Sequence, residues 1–285
     1  MQLNLHNHCN TFRKGFEKLM NDEKRLKFDK MKVSVVICTY NEEKTIADVL
    51  ISCCKLLPDA EILVVDDGSI DKTENILIEL SKEYSFKYEK LDKNRGKSWA
   101  MVHGVEKATN EILLFFDADV SNIKKEHFDC LLKPIINNKA DMVLGQPSET
   151  LIDYRVNPFR SLTGERAVLK KDITPILDDI REIRFGVETF INLYFQAQGK
   201  RIKYVLLEGL KHPTKFEKTS TINATKEFIS EGKEIALTLM NNYDLITQRI
   251  QLIIERTNTT AMRKINYLQK DINKKLEGLK DKFFL

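Results

Sequence analysis

Three clusters of residues have the types and spacing to bind and activate a phosphorylated ligand. Asp117-Ala118-Asp119 follows the apolar run 112–116. Two carboxylates one residue apart at the end of an extended run can share a divalent cation, directly or through water. Mg2+ and Mn2+ take oxygen ligands and keep waters and phosphate oxygens in their shell. A bound cation also neutralises charge on a departing diphosphate. The competing reading has Asp117 capping the next helix and Asp119 solvated in a loop. Asp66-Asp67-Gly68-Ser69 closes a second apolar run, with Asp71 placed to cap the helix that follows. A carboxylate there can accept from the imide N–H of a uracil or the edge of a guanine. Otherwise the segment is a turn in which Gly68 takes positive φ, although two acids exceed what a turn needs. Asn94-Arg95-Gly96-Lys97 opens a helix, and its basic side chains with the N-terminal amides suit a diphosphate. Its spacing is not that of a Walker A loop.

Two single residues add to these. Glu188 begins an apolar helical stretch and has no obvious partner in sequence. It is either a first-turn surface glutamate favoured by the helix dipole or a carboxylate beside an acceptor hydroxyl. In the second role it acts as base in an inverting displacement or positions the acceptor in a retaining one. Arg166 can hold an acceptor phosphate bidentately, or pair with Glu165 or another neighbour.

The elements that must position these residues follow from periodicity. Short apolar runs at 33–38, 62–65, 86–88, 112–116 and 142–144 alternate with helical stretches near 43–55, 71–83, 96–108 and 124–137. That is the pattern of βα units building a parallel sheet. Three of the runs are nearly continuous and rich in β-branched residues, as strands covered on both faces should be. Ligands of open α/β sheets bind beyond the carboxyl ends of strands, where Thr39-Tyr40-Asn41-Glu42 and the two acid clusters fall. Glu42 can also simply open a helix. Residues 146–215 are less regular, with one further strand over Ile202–Leu207. In the region 220–285, Ile235, Leu239, Ile246, Ile250 and Ile253 keep three-and-four helical spacing, as do Ile265, Leu268, Ile272, Leu276, Leu279 and Phe283. The expected organisation is a polar helical leader over 1–31, an α/β catalytic domain over 32–215 and a helical extension over 216–285. The catalytic domain divides into a donor half, 32–145, and an acceptor half, 146–215.

Composition narrows the class. With 285 residues, 42% hydrophobic and 31% charged, the chain is of the soluble globular kind. A net charge of +4 is too small to point to nucleic acid. No run of 18 apolar residues is present, which excludes a spanning helix, and the polar N-terminus lacks the apolar stretch of a signal peptide. Five cysteines without metal-ligand spacing read as free thiols of a reducing cytoplasm. From Arg256 to Leu285 eight basic residues face three acidic ones. Such helices pack on their own protein, join a second subunit into a homo-oligomer, or lie peripherally on an anionic membrane.

Val35-Val36-Ile37-Cys38-Thr39-Tyr40-Asn41-Glu42, Val64-Val65-Asp66-Asp67-Gly68-Ser69, Asn94-Arg95-Gly96-Lys97 and Asp117-Ala118-Asp119 resemble, in order and spacing, the hallmarks of family 2-type glycosyltransferases. The resemblance covers roughly residues 32–145. It implies the GT-A fold, a Rossmann-like mixed sheet that binds a nucleotide-sugar, and Mg2+ or Mn2+ as cofactor. UDP-sugar is the family default for the donor, with GDP-sugar as the alternative. It further implies that Thr39, Tyr40 and Glu42 wall the base pocket and that Asp67, beside Asp66, contacts the base. Lys97, with Arg95 and Gly96, would face the donor, Asp117 the ribose or metal, and Asp119 the metal.

The second half is similar to glucosyl-3-phosphoglycerate synthases and polyprenyl-phosphate sugar synthases. Residues 157–167, which include Thr163, Gly164 and Arg166, look like the acceptor loop of that group. Phe185-Gly186-Val187-Glu188-Thr189 and Leu207-Glu208-Gly209-Leu210-Lys211-His212 complete the pattern. In the former enzymes the histidine after the late strand is the third protein ligand of the metal, which carries over to His212. A single histidine stands here where the relatives often have several. The implied acceptor is a small phosphorylated or lipid-linked molecule. A nucleotidyltransferase, the rival enzyme class, would place a Gly-rich phosphate loop where Thr39-Tyr40-Asn41-Glu42 stands. A non-catalytic nucleotide-binding scaffold would have no need of every acid.

Overall fold

In the computed structural model, residues 32–147, 163–181, 183, 186–212, 237–238 and 240–256 are described. The expected leader, residues 157–162 of the acceptor loop and most of the helical extension lie outside the described residues. Seven strands form one sheet: β1 Val33–Thr39, β2 Glu61–Asp66, β3 Lys87–Lys90, β4 Ile112–Phe115, β5 Met142–Pro147, β6 Arg166–Leu169 and β7 Ile202–Leu207. Their order is β3-β2-β1-β4-β6-β5-β7. Neighbours from β3 to β4 run parallel, β6 lies antiparallel between β4 and β5, and β5 pairs parallel with β7. The winding reverses between β1 and β4, and such a switch leaves a crevice at the carboxyl ends of those strands.

The helices are α1 Ile46–Leu56, α2 Thr73–Leu80, α3 Lys97–Lys107, α4 Lys125–Ile136, α5 Lys170–Ile173, α6 Leu177–Arg181, α7 Val187–Ala197 and α8 Tyr243–Arg256, with a 3-10 turn at Thr174–Ile176. Because side chains alternate across a strand, the sheet feeds two cores. Ile37, Leu114 and Phe116 pack with Leu50 and Phe128 on one face; Val36, Leu113 and Phe115 pack with Met101 and Ile191 on the other. β1 is buried at nearly every position, as its continuous apolar run requires. At the amino-terminal edge one acid ties four segments. Glu61 accepts from the Ser34 hydroxyl, from Lys87 at 2.7 Å, and from the Thr109 N–H and hydroxyl at 2.8 and 3.0 Å. Burial opposes its charge, but these donors lower its pKa to about 2.

The sheet departs from a purely parallel series at β6, which sequence periodicity did not reveal. The strand is four residues long and begins with an arginine, so neither length nor alternation marks it. In the extension, α8 packs on α7, with Leu245 against the second core and Ile246 and Ile250 half-buried. The basic stretch beyond Arg256 lies outside the described residues. Among those described, no helix is long and apolar enough to cross a membrane.

Candidate active site

The loops after β1 and β2 are stitched together by backbone-to-side-chain bonds. Asn41, in the left-handed region at φ 55°, accepts from the Ile70 N–H at 2.9 Å and donates its own N–H to the Ser69 hydroxyl at 2.9 Å. Tyr40 stands 41% exposed beside them, and Thr39 is buried with its hydroxyl unpartnered. Glu42 leads into α1: its carbonyl accepts from Thr45 and Ile46, and its carboxylate from the Thr45 hydroxyl at 3.1 Å. Asp71 accepts from the Thr73 N–H at 3.0 Å, so it caps α2 from one residue further out than a standard cap.

The acid pair after β2 is engaged by the surrounding backbone and side chains. Asp66 is fully buried, accepting from the Ser69 N–H at 2.7 Å and the Tyr88 hydroxyl at 3.0 Å. Asp67 accepts from the N–H groups of Arg95 and Gly96 at 2.8 and 2.7 Å. Both acids therefore build the loop, and two amides expected to hold a diphosphate are already taken by Asp67. Gly68 at φ 75° permits this closeness, because a Cβ there would lie 2.6 Å from the Lys93 carbonyl carbon. The Arg95 guanidinium stacks on Trp99 at 4.5 Å, and Arg181 lies 5.0 Å from the same ring.

Lys97, at the start of α3, sits between two carboxylates, 2.8 Å from Asp117 and 3.0 Å from Glu188. Burial works against its charge, yet the two acids hold its pKa well above the ordinary lysine value. Glu188 thus faces the site from the first turn of α7 rather than bulk solvent. Burial opposes its ionisation, while Lys97 and Arg166 keep its carboxyl below the usual range.

A second cluster gathers beside Asp117. The chain turns at Gly209, φ 78°, and Asn122 donates to the Gly209 carbonyl at 2.7 Å. Ser121 and Lys211 exchange N–H···O bonds of 2.9 and 3.2 Å. This clasp carries His212 to the acid cluster, with Nδ1 3.7 Å from Asp119 and Nε2 3.0 Å from Glu165. Donor atoms of Asp117, Glu165 and His212 all lie within 4.8 Å of one another. Burial would lower the His212 pKa, but Glu165, Asp117 and Asp119 raise it to about 9.

Glu165 is the residue sequence reasoning missed as a ligand candidate. It appeared there only as an ion-pair partner for Arg166, on whose guanidinium its charge does act. Its second oxygen accepts from the Thr163 hydroxyl at 2.7 Å. Gly164 lies directly against Asp117, where a Cβ would meet Oδ2 at 2.0 Å. Arg166 is 0% exposed and donates to the Thr163 carbonyl at 2.7 Å. The cavity beside it, about 10 Å3, has room for roughly one water.

A sheet with a winding switch, an acid-and-histidine cluster at its carboxyl edge and a lysine beside it define an α/β fold of the GT-A kind. The sequence model of the family described as Glycosyl transferase family 2 matches residues 34–206, and the chain belongs to that family. A poly-beta-1,6-N-acetyl-D-glucosamine synthase of Staphylococcus epidermidis is 39% identical over 156 residues, 54% of this chain and 32% of that protein. A dolichol-phosphate mannosyltransferase of Pyrococcus furiosus is 33% identical over 168 residues, 57% of this chain and 46% of that protein. The chain thus spans between a third and a half of the length of these relatives. Among solved structures, glucosyl-3-phosphoglycerate synthase of Mycobacterium tuberculosis with Mn2+, UDP and phosphoglyceric acid is similar at TM-score 0.61 and 20% identity. That match covers 77% of this chain and 81% of the other. The same enzyme with Mg2+ and UDP gives TM-score 0.59 at 21% identity, covering 77% and 82%.

Proposed function

We propose that this chain is a metal-dependent glycosyltransferase that moves one sugar from a nucleoside-diphosphate sugar to a small phosphorylated or lipid-linked acceptor. A UDP-sugar is the first choice of donor. The observation that carries this is the convergence of Asp117, Asp119, Glu165 and His212 from separate segments beside Lys97. The oxygen-rich set with one imidazole suits Mn2+ or Mg2+. Bound there, the cation would offset negative charge developing on the diphosphate.

The chain's own groups do the rest. Lys97 brings a second positive charge to the place where the diphosphate must lie, its ammonium already within reach of Asp117. Glu188, held ionised, can accept the acceptor hydroxyl's proton in an inverting displacement or orient that hydroxyl in a retaining one. The exposed ring of Tyr40 and the buried Thr39 stand directly at the carboxyl end of β1, where a base would be received.

Thermal shift with UDP, GDP and dTDP and their sugars, each with and without Mn2+, tests the reading. Stabilisation by a uridine nucleotide that depends on Mn2+ is the expected result. A protein that no nucleotide stabilises under either condition would contradict it.

A further inference from the structure

Arg166 is the largest fully buried side chain in the described structure, and its place follows from register. It pairs across β6 and β4 with Phe115, which in turn pairs with Val36 on β1. Paired residues share a face and alternate residues return to it, so Val36, Cys38, Phe115, Asp117, Arg166 and Val168 point toward the layer of α3 and α7. A guanidinium thus occupies a row of apolar core positions. Its Nη2 reaches the Thr163 carbonyl, while Nε and Nη1 have no hydrogen-bond partner. Burying such donors unpaired costs free energy. Arg166 lines the one-water cavity together with Lys97, Asp117 and Glu188.

We propose that Arg166 is a positioning residue for Glu188, fixing that carboxylate from the sheet side through one water held on its Nε and Nη1. Lys97, whose side chain is 38% exposed, holds the same carboxylate from the solvent side at 3.0 Å. The two positive groups are not interchangeable. Lys97 sits on a flexible stem at a helix start and can turn toward a diphosphate; Arg166 is locked in the core. When Lys97 turns away, Arg166 keeps Glu188 from becoming an uncompensated buried anion, the costly state of a broken pair. The mutual influence of Arg166 and Glu188 on each other's ionisation agrees with this geometry. The task of Glu188 at the acceptor rests on the function proposed above, but the pairing does not.

Urea unfolding of the full chain, free of metal and nucleotide, tests the pairing without a substrate. Arg166→Met is expected to raise the unfolding constant on the order of 100-fold beside native Glu188, because Lys97, shared with Asp117, then leaves one of the two carboxylates uncompensated. In a Glu188→Gln background the same change should cost less than about tenfold, because the stranded charge is gone. Arg166→Lys, which keeps the charge, should recover most of the loss. A role in packing alone predicts the reverse: Met would serve at least as well as Lys, and the effect would be equal in both backgrounds. Either result overturns the proposal, whether or not the chain transfers sugar. If Arg166→Met does not fold, Arg166→Gln with and without Glu188→Gln gives the same comparison. A high-resolution crystal structure should show one water bonded to both Nε and Nη1. An empty cavity there would refute the bridging water.

Discussion

Replacing Gly164 by alanine adds one methyl group, and the structure says where it must go. That carbon would lie 2.0 Å from Asp117 Oδ2 and 2.2 Å from Oδ1, against about 3.4 Å for an ordinary contact. The neighbour is a whole carboxylate on the chain just beyond β4, not the free end of a long side chain. Either Asp117 or the 163–165 segment must retreat by about 1.4 Å. If Asp117 moves, it leaves Lys97, now 2.8 Å away, and abandons the cluster with Glu165 and His212. If the 163–165 segment moves, Glu165 leaves instead. Overpacking of this kind costs about 1–3 kcal/mol of stability, which a domain of this size survives. Misplacing a binding group by about 1 Å can cost 100-fold in function. Gly164→Ala is therefore expected to keep a native circular dichroism spectrum and cooperative unfolding. Its Mn2+-dependent affinity for UDP, measured by calorimetry, should fall by about two orders of magnitude. Unchanged Mn2+ and UDP affinities would show that the close approach of Gly164 to Asp117 does not set the site.

Further expectations are independent of that one. The Glu61 carboxyl titrates at about 2 in the folded chain rather than 4.5, which corresponds to on the order of 3 kcal/mol. Because the folded value is lowered, this stabilisation is complete above pH 4.5 and is lost as pH falls toward 2. Glu61→Gln should lose about 2–3 kcal/mol at neutral pH and show a flatter acid limb in urea midpoints; identical midpoints would be contrary. Asp119→Ala should remove Mn2+-dependent nucleotide binding with the fold intact, and His212→Ala should erase any preference for Mn2+ over Mg2+; titrations matching the native protein would count against both ligands. Asp67→Asn leaves one acceptor oxygen for two N–H donors, so stability and nucleotide affinity should fall together by about 1–3 kcal/mol. Lost affinity at full stability would instead return this carboxylate to the base.

Much of this site was legible because its acids stand directly after strands that declare themselves. β1 is a run of buried β-branched residues, and β7 falls on Ile202–Leu207 as periodicity indicates. What escaped was set by contacts remote in sequence. Nothing near Glu188 indicates Lys97, since α7 and α3 meet only in the fold. Nor does Asp67 show locally that it will anchor the backbone of Arg95 and Gly96. Glu165 reads as a local partner of Arg166, and β6, which begins just after it, is too short and too charged at its first residue to announce itself. The acceptor loop and tail, over which expectations were broadest, fall largely outside the described residues.

Trp99 is the only tryptophan in the chain, and it sits three residues into α3, half-buried, under the Arg95 guanidinium. The protein therefore carries a built-in optical reporter with no competing indole, read selectively by exciting beyond the tyrosine absorption. Its emission senses whether Arg95 rests on the ring or has left it. If Arg95 swings toward a bound diphosphate, the indole loses its stacked cation on the 4.5 Å side and keeps Arg181 at 5.0 Å. Stopped-flow fluorescence on the unlabelled protein would then time that movement separately from metal binding. Arg95→Ala should abolish the nucleotide-dependent change in signal while tryptophan emission itself persists.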